Sequence, residues 1–174
     1  MKGTVEGYRC GGQNCSSEAA YSDAMSPDEL QALNDAVKQG TARLWHGGAP
    51  ALRVGDLILP PAVTGVQSMR SSLVQGGLGR VTTREDHVYV TTERSLARAV
   101  AAYWNKRAPG NGRGWVYRVE LDAHDVALDE DLPRGPFISF QLPSVRIAAI
   151  ADAGVDPNNP RHFRELQRFV DAIG

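Results

Sequence analysis

Residues 43–48, RLWHGG, form a short apolar segment that ends in a histidine and opens directly into two glycines. Leucine and tryptophan suit a buried strand, and glycines let the backbone approach a ligand closely. The segment therefore predicts a strand whose end lies at a cleft, where His46 can donate to a ligand oxygen. The alternative interpretation is an ordinary strand-to-turn junction in which the protein itself satisfies the histidine.

Composition narrows the class of protein. The 174 residues fit one domain, and 42% hydrophobic with 22% charged residues is typical of a globular chain. A formal net charge of −1 argues against an extensively basic nucleic-acid surface. No apolar run approaches the ~20 residues that span a bilayer, and no signal-like segment follows Met1. We expect a cytoplasmic protein with no membrane partner.

The N-terminal region carries both cysteines, Cys10 and Cys15, in a polar, glycine-rich stretch. Zinc needs about four ligands, and no further cysteine or neighbouring histidine completes a site, so no metal is expected. Residues 1–25 lack periodicity and are predicted to form a flexible arm. Residues 26–174 are predicted to form a single domain.

Element patterns favour an antiparallel-rich α+β domain, because turn-linked strands have few helices between them. Ser26 and Glu29 form a capping-box pattern that predicts a helix ending near Gly40. Two further helices are predicted after residue 92 and from about Pro160. Strands are predicted at residues 43–48, 87–91, 115–121, 137–142 and 145–150. Within residues 52–61, a turn at Gly55-Asp56 is predicted to precede a short apolar strand that ends at Pro60-Pro61.

Residues 62–86 are rich in Gly, Ser, Thr and Arg and are predicted to form a long loop. Loops of this length in compact domains are often functional. Arg70, Arg80 and Arg84 give the segment a positive bias, which suits either a solvated surface or the phosphates of a ligand.

Three aromatic residues stand out beside His46. Strand alternation in residues 87–91 (HVYVT) sets the face of Tyr89, and helical spacing puts Tyr103 and Trp104 on the apolar stripe of the next helix. Core packing is the commoner fate of such rings, and periodicity alone does not separate it from ligand contact.

Four segments in series carry a resemblance to a known family: LWHGG (44–48), LRVGD (52–56), HVYVT (87–91) and GRGWVYRVE (112–120). In this order and with these gaps, the chain resembles the rifampin ADP-ribosyltransferases over about residues 42–150. These small bacterial enzymes belong to the diphtheria-toxin and poly-ADP-ribose-polymerase type. The resemblance implies a split antiparallel β sandwich of the ADP-ribosyltransferase type with flanking helices, and NAD bound between its halves.

The resemblance also implies roles for individual residues. His46 would bond the adenosine ribose of NAD, and the backbone of Gly47 would pair with the nicotinamide amide. Tyr89 would stack on the nicotinamide ring. Tyr103 best matches the second stacking ring, with Trp104 as the alternative.

The third position of the family signature stays open. Relatives place a glutamate at a strand start, or an aspartate in an acidic segment, against the nicotinamide ribose. Gln141 matches first by strand position, followed by Asp131 and Asp129 in the acidic stretch 122–131. A glutamine could hold the ribose by hydrogen bonds, but it could not offset the positive charge that develops there.

The resemblance implies an NAD-dependent mono-ADP-ribosyltransferase that releases nicotinamide and transfers ADP-ribose to an unidentified acceptor. The acceptor is a small molecule, a protein or a nucleic acid, and residues 62–86 are the expected selector. One alternative is an NAD-dependent RNA 2′-phosphotransferase on the same fold, which the near-neutral charge disfavours. Another is a catalytically weak or inactive NAD-binding or structural module, which Gln141 would explain.

Overall fold

The structure, a computed structural model, describes residues 25–75, 84–108, 110–121, 126–129 and 137–173. The predicted N-terminal arm, its two cysteines, Arg80 and Asp131 lie outside these ranges. The described elements, in chain order, are α1 (Pro27–Lys38), β1 (Leu44–Gly48), β2 (Leu57–Ile58), α2 (Pro61–Thr64), α3 (Met69–Gln75), β3 (Val88–Thr91), α4 (Arg94–Arg107), β4 (Trp115–Glu120), β5 (Ala127–Leu128), β6 (Ser139–Leu142), β7 (Val145–Asp152) and α5 (Pro160–Ile173).

The first helix begins with the predicted capping box. The Glu29 carboxylate accepts from the Ser26 backbone N–H at 2.8 Å, and the Ser26 hydroxyl accepts from the Glu29 N–H at 3.3 Å. Val37, on the inner face of α1, is 1% exposed and packs into the main core. None of the helices among the described residues is both long and apolar enough to cross a bilayer.

All seven described strands belong to one antiparallel sheet with the order β2-β7-β4-β1-β3-β6-β5. The predicted antiparallel α+β architecture is therefore confirmed. β1 pairs with β4 along its whole length, but in the described residues it pairs with β3 only between Trp45 and Thr91. In this one sheet a single residue pair joins a β2-β7-β4-β1 half to a β3-β6-β5 half. The split sandwich of the ADP-ribosyltransferase type stays a prediction.

Between β1 and β3 the predicted turn at Gly55-Asp56 and the short apolar strand after it are confirmed. Arg53 N–H donates to the Asp56 carboxylate at 2.8 Å, Gly55 has a positive φ of 92°, and β2 follows. One prediction in this region is wrong. The predicted loop at residues 62–86 contains α2 and α3, which are too short to show an amphipathic period.

Helix α4 lies directly on the sheet at two glycines. A Cβ atom at Gly47 would clash with the Ala97 carbonyl oxygen, and one at Gly114 would clash with the Ala101 carbonyl oxygen. The missing side chain of Gly47 therefore makes room for the backbone of α4. The predicted role of Gly47 toward a ligand concerns its backbone groups and stays a prediction.

This contact predicts a large loss of stability for Gly47→Ala. The added methyl group has to push α4 off β1, so we expect the free energy of unfolding to fall by about 3 kcal/mol. Gly65→Ala is the matched control, because nothing lies within 4 Å of its added Cβ and only the positive φ of 68° resists it. That backbone strain costs about 1 kcal/mol. Urea unfolding of both variants tests the contact, and equal losses would contradict it.

Candidate functional site

A cavity of about 490 Å³ is lined by both β1 and β3 near the point where they stop pairing. Residues of α4 and of the 57–70 segment complete its wall, and the lining is mostly apolar. Its volume lies in the range of small-molecule and cofactor sites. A shallower depression of about 480 Å³ beside α2 and α3 is open to solvent and includes Glu85 in its lining.

His46 lies at the centre of this arrangement. Its Nδ1 is 2.9 Å from the Tyr89 carbonyl oxygen, so the ring joins β1 to β3 where their backbones are not paired. A carbonyl only accepts, so Nδ1 carries the proton and Nε2 of the neutral ring is an acceptor. A Cβ at Gly48 would lie 2.7 Å from Nε2, so the second glycine of the HGG motif leaves space for the ring.

The protonation state of His46 follows from its surroundings. Burial lowers its pKa to about 4, the hydrogen bond to Tyr89 opposes the shift, and the positive charge of Arg107 lowers the pKa further. The ring is therefore neutral near pH 7. A neutral histidine with a free Nε2 can accept a hydrogen bond from a ligand hydroxyl.

Tyr89 lines the cavity from β3, and Arg70 lies over its ring with the guanidinium carbon 4.0 Å from the centroid. Arg70 also forms a buried ion pair with Asp129, and the two residues are 5% and 1% exposed. One face of the tyrosine ring is therefore covered by a neutralised cation. A flat ligand has to stack on the other face or displace Arg70.

The described candidates for the third position lie near Tyr89 but do not line the cavity. Gln141 is directly opposite Tyr89 in the β3–β6 register, so their side chains share a face of the sheet. Asp129 follows β5, and its N–H donates to the Ser139 carbonyl at 2.9 Å. Gln141 is 3% exposed, and only Ser139 among these three contributes to the cavity wall. Asp131 lies outside the described residues.

On α4 the structure separates the two aromatic candidates. Trp104 is 5% exposed and lines the cavity, whereas Tyr103 does not line it and carries Lys106 Nζ 5.5 Å from its ring centroid. The orientation of α4 is set by Ala97 and Ala101, which pack against the two glycines of the sheet. The helical spacing of large apolar residues gives no weight to small contact residues such as these alanines. It therefore predicts a more inward position for Tyr103 than the structure shows.

Arg107 is a cavity residue that the sequence interpretation missed. Its Nη1 donates to the Gln67 carbonyl at 3.1 Å, and its guanidinium carbon lies 5.1 Å from the Trp104 ring centroid. Burial lowers its pKa to about 10, which leaves the group charged at neutral pH. Its position one helical turn after Trp104 is the sequence signal that points to the cavity.

Comparison with protein-family models gives no match, and comparison with curated protein sequences gives no significant match. Within the described ranges, no group of three His, Cys, Asp or Glu side chains is placed to hold a metal ion. The chemistry of the cavity residues is therefore the basis for assigning a function.

The lowered pKa of His46 predicts a pH-dependent stability. Between about pH 6.5 and pH 4 the unfolded chain takes up a proton at this residue and the folded chain does not, so stability falls as the pH falls. We expect a loss of roughly 3 kcal/mol across this window, and a smaller loss in His46→Gln. Urea unfolding at pH 7 and pH 4 measures the difference. An NMR titration showing His46 with a pKa near 6.5 would contradict the assignment.

The buried ion pair predicts a second stability effect. Asp129→Asn leaves the Arg70 charge buried without its carboxylate, and we expect unfolding free energy to fall by about 3 kcal/mol. Asp86→Asn is the control, because it breaks the exposed Arg84–Asp86 pair and should change stability little. Similar effects from the two substitutions in thermal or urea unfolding would mean that the Arg70 charge is solvated.

Proposed function

We propose that this chain is an NAD-dependent mono-ADP-ribosyltransferase with the ADP-ribosyltransferase fold, which transfers ADP-ribose to an acceptor and releases nicotinamide. One observation carries the proposal: His46, Tyr89 and Trp104, which are far apart in sequence, line the same cavity. These are residues that the resemblance links to NAD. The order of the four motif segments supports the same assignment.

The cavity residues fit NAD as a co-substrate. The volume of about 490 Å³ and the apolar lining suit a ligand with flat rings. Trp104 Nε1 is a buried donor with no hydrogen-bond partner in the described part of the chain. Buried polar groups are rarely left unpaired, so a partner supplied by a ligand would explain it.

Bound NAD would supply a ribose–nicotinamide bond, whose cleavage releases nicotinamide. His46 Nε2 would accept a hydrogen bond from a ribose hydroxyl, and its neutral state is suited to that task. Tyr89 and Trp104 would hold the flat ring system by aromatic contact. Gly47 would offer its backbone groups to the nicotinamide amide.

Asp129 is the described carboxylate among the third-position candidates, but it pairs with Arg70 and does not line the cavity. It would act on the developing positive charge only if ligand binding displaced Arg70 from it. Gln141 would contribute hydrogen bonds from the face of the sheet that carries Tyr89, without charge. The role of Asp131 stays a prediction.

A second candidate function is an NAD-binding module with little or no turnover. The observation that favours it is that neither Gln141 nor Asp129 lines the cavity, so no described carboxylate faces a ligand there. The transferase and the NAD-binding module would use the same binding site and differ only in whether the bound NAD is cleaved. Nicotinamide release separates them.

Calorimetry with NAD and an assay for nicotinamide release test the proposal. We expect wild type to bind NAD, and His46→Ala and Tyr89→Ala to weaken binding by about tenfold, because each removes a direct ligand contact. Trp104→Phe is expected to bind NAD more weakly than Tyr103→Phe, because only Trp104 lines the cavity.

Phe163→Ala is the control for these variants, because Phe163 on α5 is 63% exposed and does not line the cavity. Its affinity should equal that of wild type. Binding without nicotinamide release would favour the module. Failure of the wild-type protein to bind NAD would contradict both functions.

A further inference from the structure

Arg107 is a partly buried cation that has no compensating carboxylate among the described residues. No ion pair involves it in the described residues, and its Nε has no hydrogen-bond partner there. Its one described hydrogen-bond partner is the neutral Gln67 carbonyl. Burying a charge without a counter-charge is costly, so natural proteins rarely keep such an arrangement without a use for it.

The described lining of the cavity offers no counter-charge to Arg107. Its described lining includes His46, Arg70 and His87 together with Arg107, and no Asp or Glu. Arg70 is already neutralised by Asp129, which does not reach the cavity. The described lining therefore gives the cavity a positive potential that is strongest on its α4 side. An anionic ligand group would offset the free-energy cost of burying the Arg107 charge there.

We propose that Arg107 forms an anion subsite on the α4 side of the cavity, and that this subsite takes a phosphate or pyrophosphate group of the ligand. A guanidinium has several donors in a fixed fork, a geometry that matches phosphate oxygens. The Nε–H of Arg107 is available to donate a hydrogen bond, since it has no partner in the described structure. The neighbouring Trp104 Nε1 is a second such donor.

The described arginines of residues 62–86 are less suited to this task. Arg70 holds the buried carboxylate of Asp129, and Arg84 pairs with Asp86 at the surface, with the side chain 41% exposed. We therefore favour Arg107 over Arg70 and Arg84 for the phosphate role that the sequence pattern offers to arginines of residues 62–86. Arg80 itself lies outside the described residues.

The subsite deepens the proposed function, and it rests on that function only in identifying the anion as the pyrophosphate of NAD. The binding of a free anion does not depend on turnover. The test therefore uses inorganic pyrophosphate and ADP as probes, with nicotinamide release from NAD measured separately.

The experiment compares Arg107→Met with Lys106→Met by isothermal calorimetry on the full chain. Both substitutions remove one positive charge from the last turn of α4, but Lys106 is exposed and does not line the cavity. We expect Arg107→Met to bind both probes about tenfold or more weakly than wild type, and Lys106→Met to bind them almost normally. Arg107→Lys should fall between, because it keeps the charge and loses the fork.

A stability measurement without ligand provides a second readout. Arg107→Met removes a charge that has no ion-pair partner among the described residues, so its midpoint in urea should equal or exceed that of wild type. Pyrophosphate should raise the midpoint of wild type and of Lys106→Met but not that of Arg107→Met. Equal probe affinity in Arg107→Met and wild type would overturn the subsite, as would failure of wild type to bind either probe. Pyrophosphate binding that depends on Arg107, without nicotinamide release, would support the subsite and count against the transferase.

Discussion

The contact between the backbone of α4 and Gly47 of β1 positions the parts of the site. Because no side chain separates them, the helix lies against the sheet, and its orientation is set by Ala97 and Ala101. This orientation directs Trp104 and Arg107 toward the cavity and leaves Tyr103 outside its lining. A wider separation would move two cavity residues away from His46 at once.

The second constraint is the single residue pair between β1 and β3. A fully paired sheet would have used the Tyr89 carbonyl for a backbone hydrogen bond, whereas here the His46 ring takes it. The histidine is thereby fixed in one tautomer, neutral and with Nε2 available. The cavity exists because the sheet is incomplete at this point, and His46 satisfies one of the polar groups that the gap would otherwise leave unpaired.

Much of this arrangement follows from sequence patterns, and the remainder depends on long-range packing. The capping box at Ser26, the strand ending at His46 and the strand carrying Tyr89 have local signals strong enough to predict. The face that α4 packs against the sheet has no such local signal, because alanines that contact glycines contribute little to an amphipathic pattern. Arg70 and Asp129 are 59 residues apart in the sequence, and no local sequence pattern predicts a contact over that separation. That Arg107 has no counter-charge among its described neighbours can be seen only once those neighbours are known.

The most direct test of NAD binding in this cavity is an NMR titration that follows the indole N–H signals of the three tryptophans. Trp104 can be assigned with Trp104→Phe, and Trp115, which does not line the cavity, serves as an internal control. If NAD occupies the cavity, the Trp104 signal shifts as its unpaired N–H gains new surroundings, and the Trp115 signal stays almost unchanged. A Trp104 signal that does not respond at millimolar NAD would contradict NAD binding between His46, Tyr89 and Trp104.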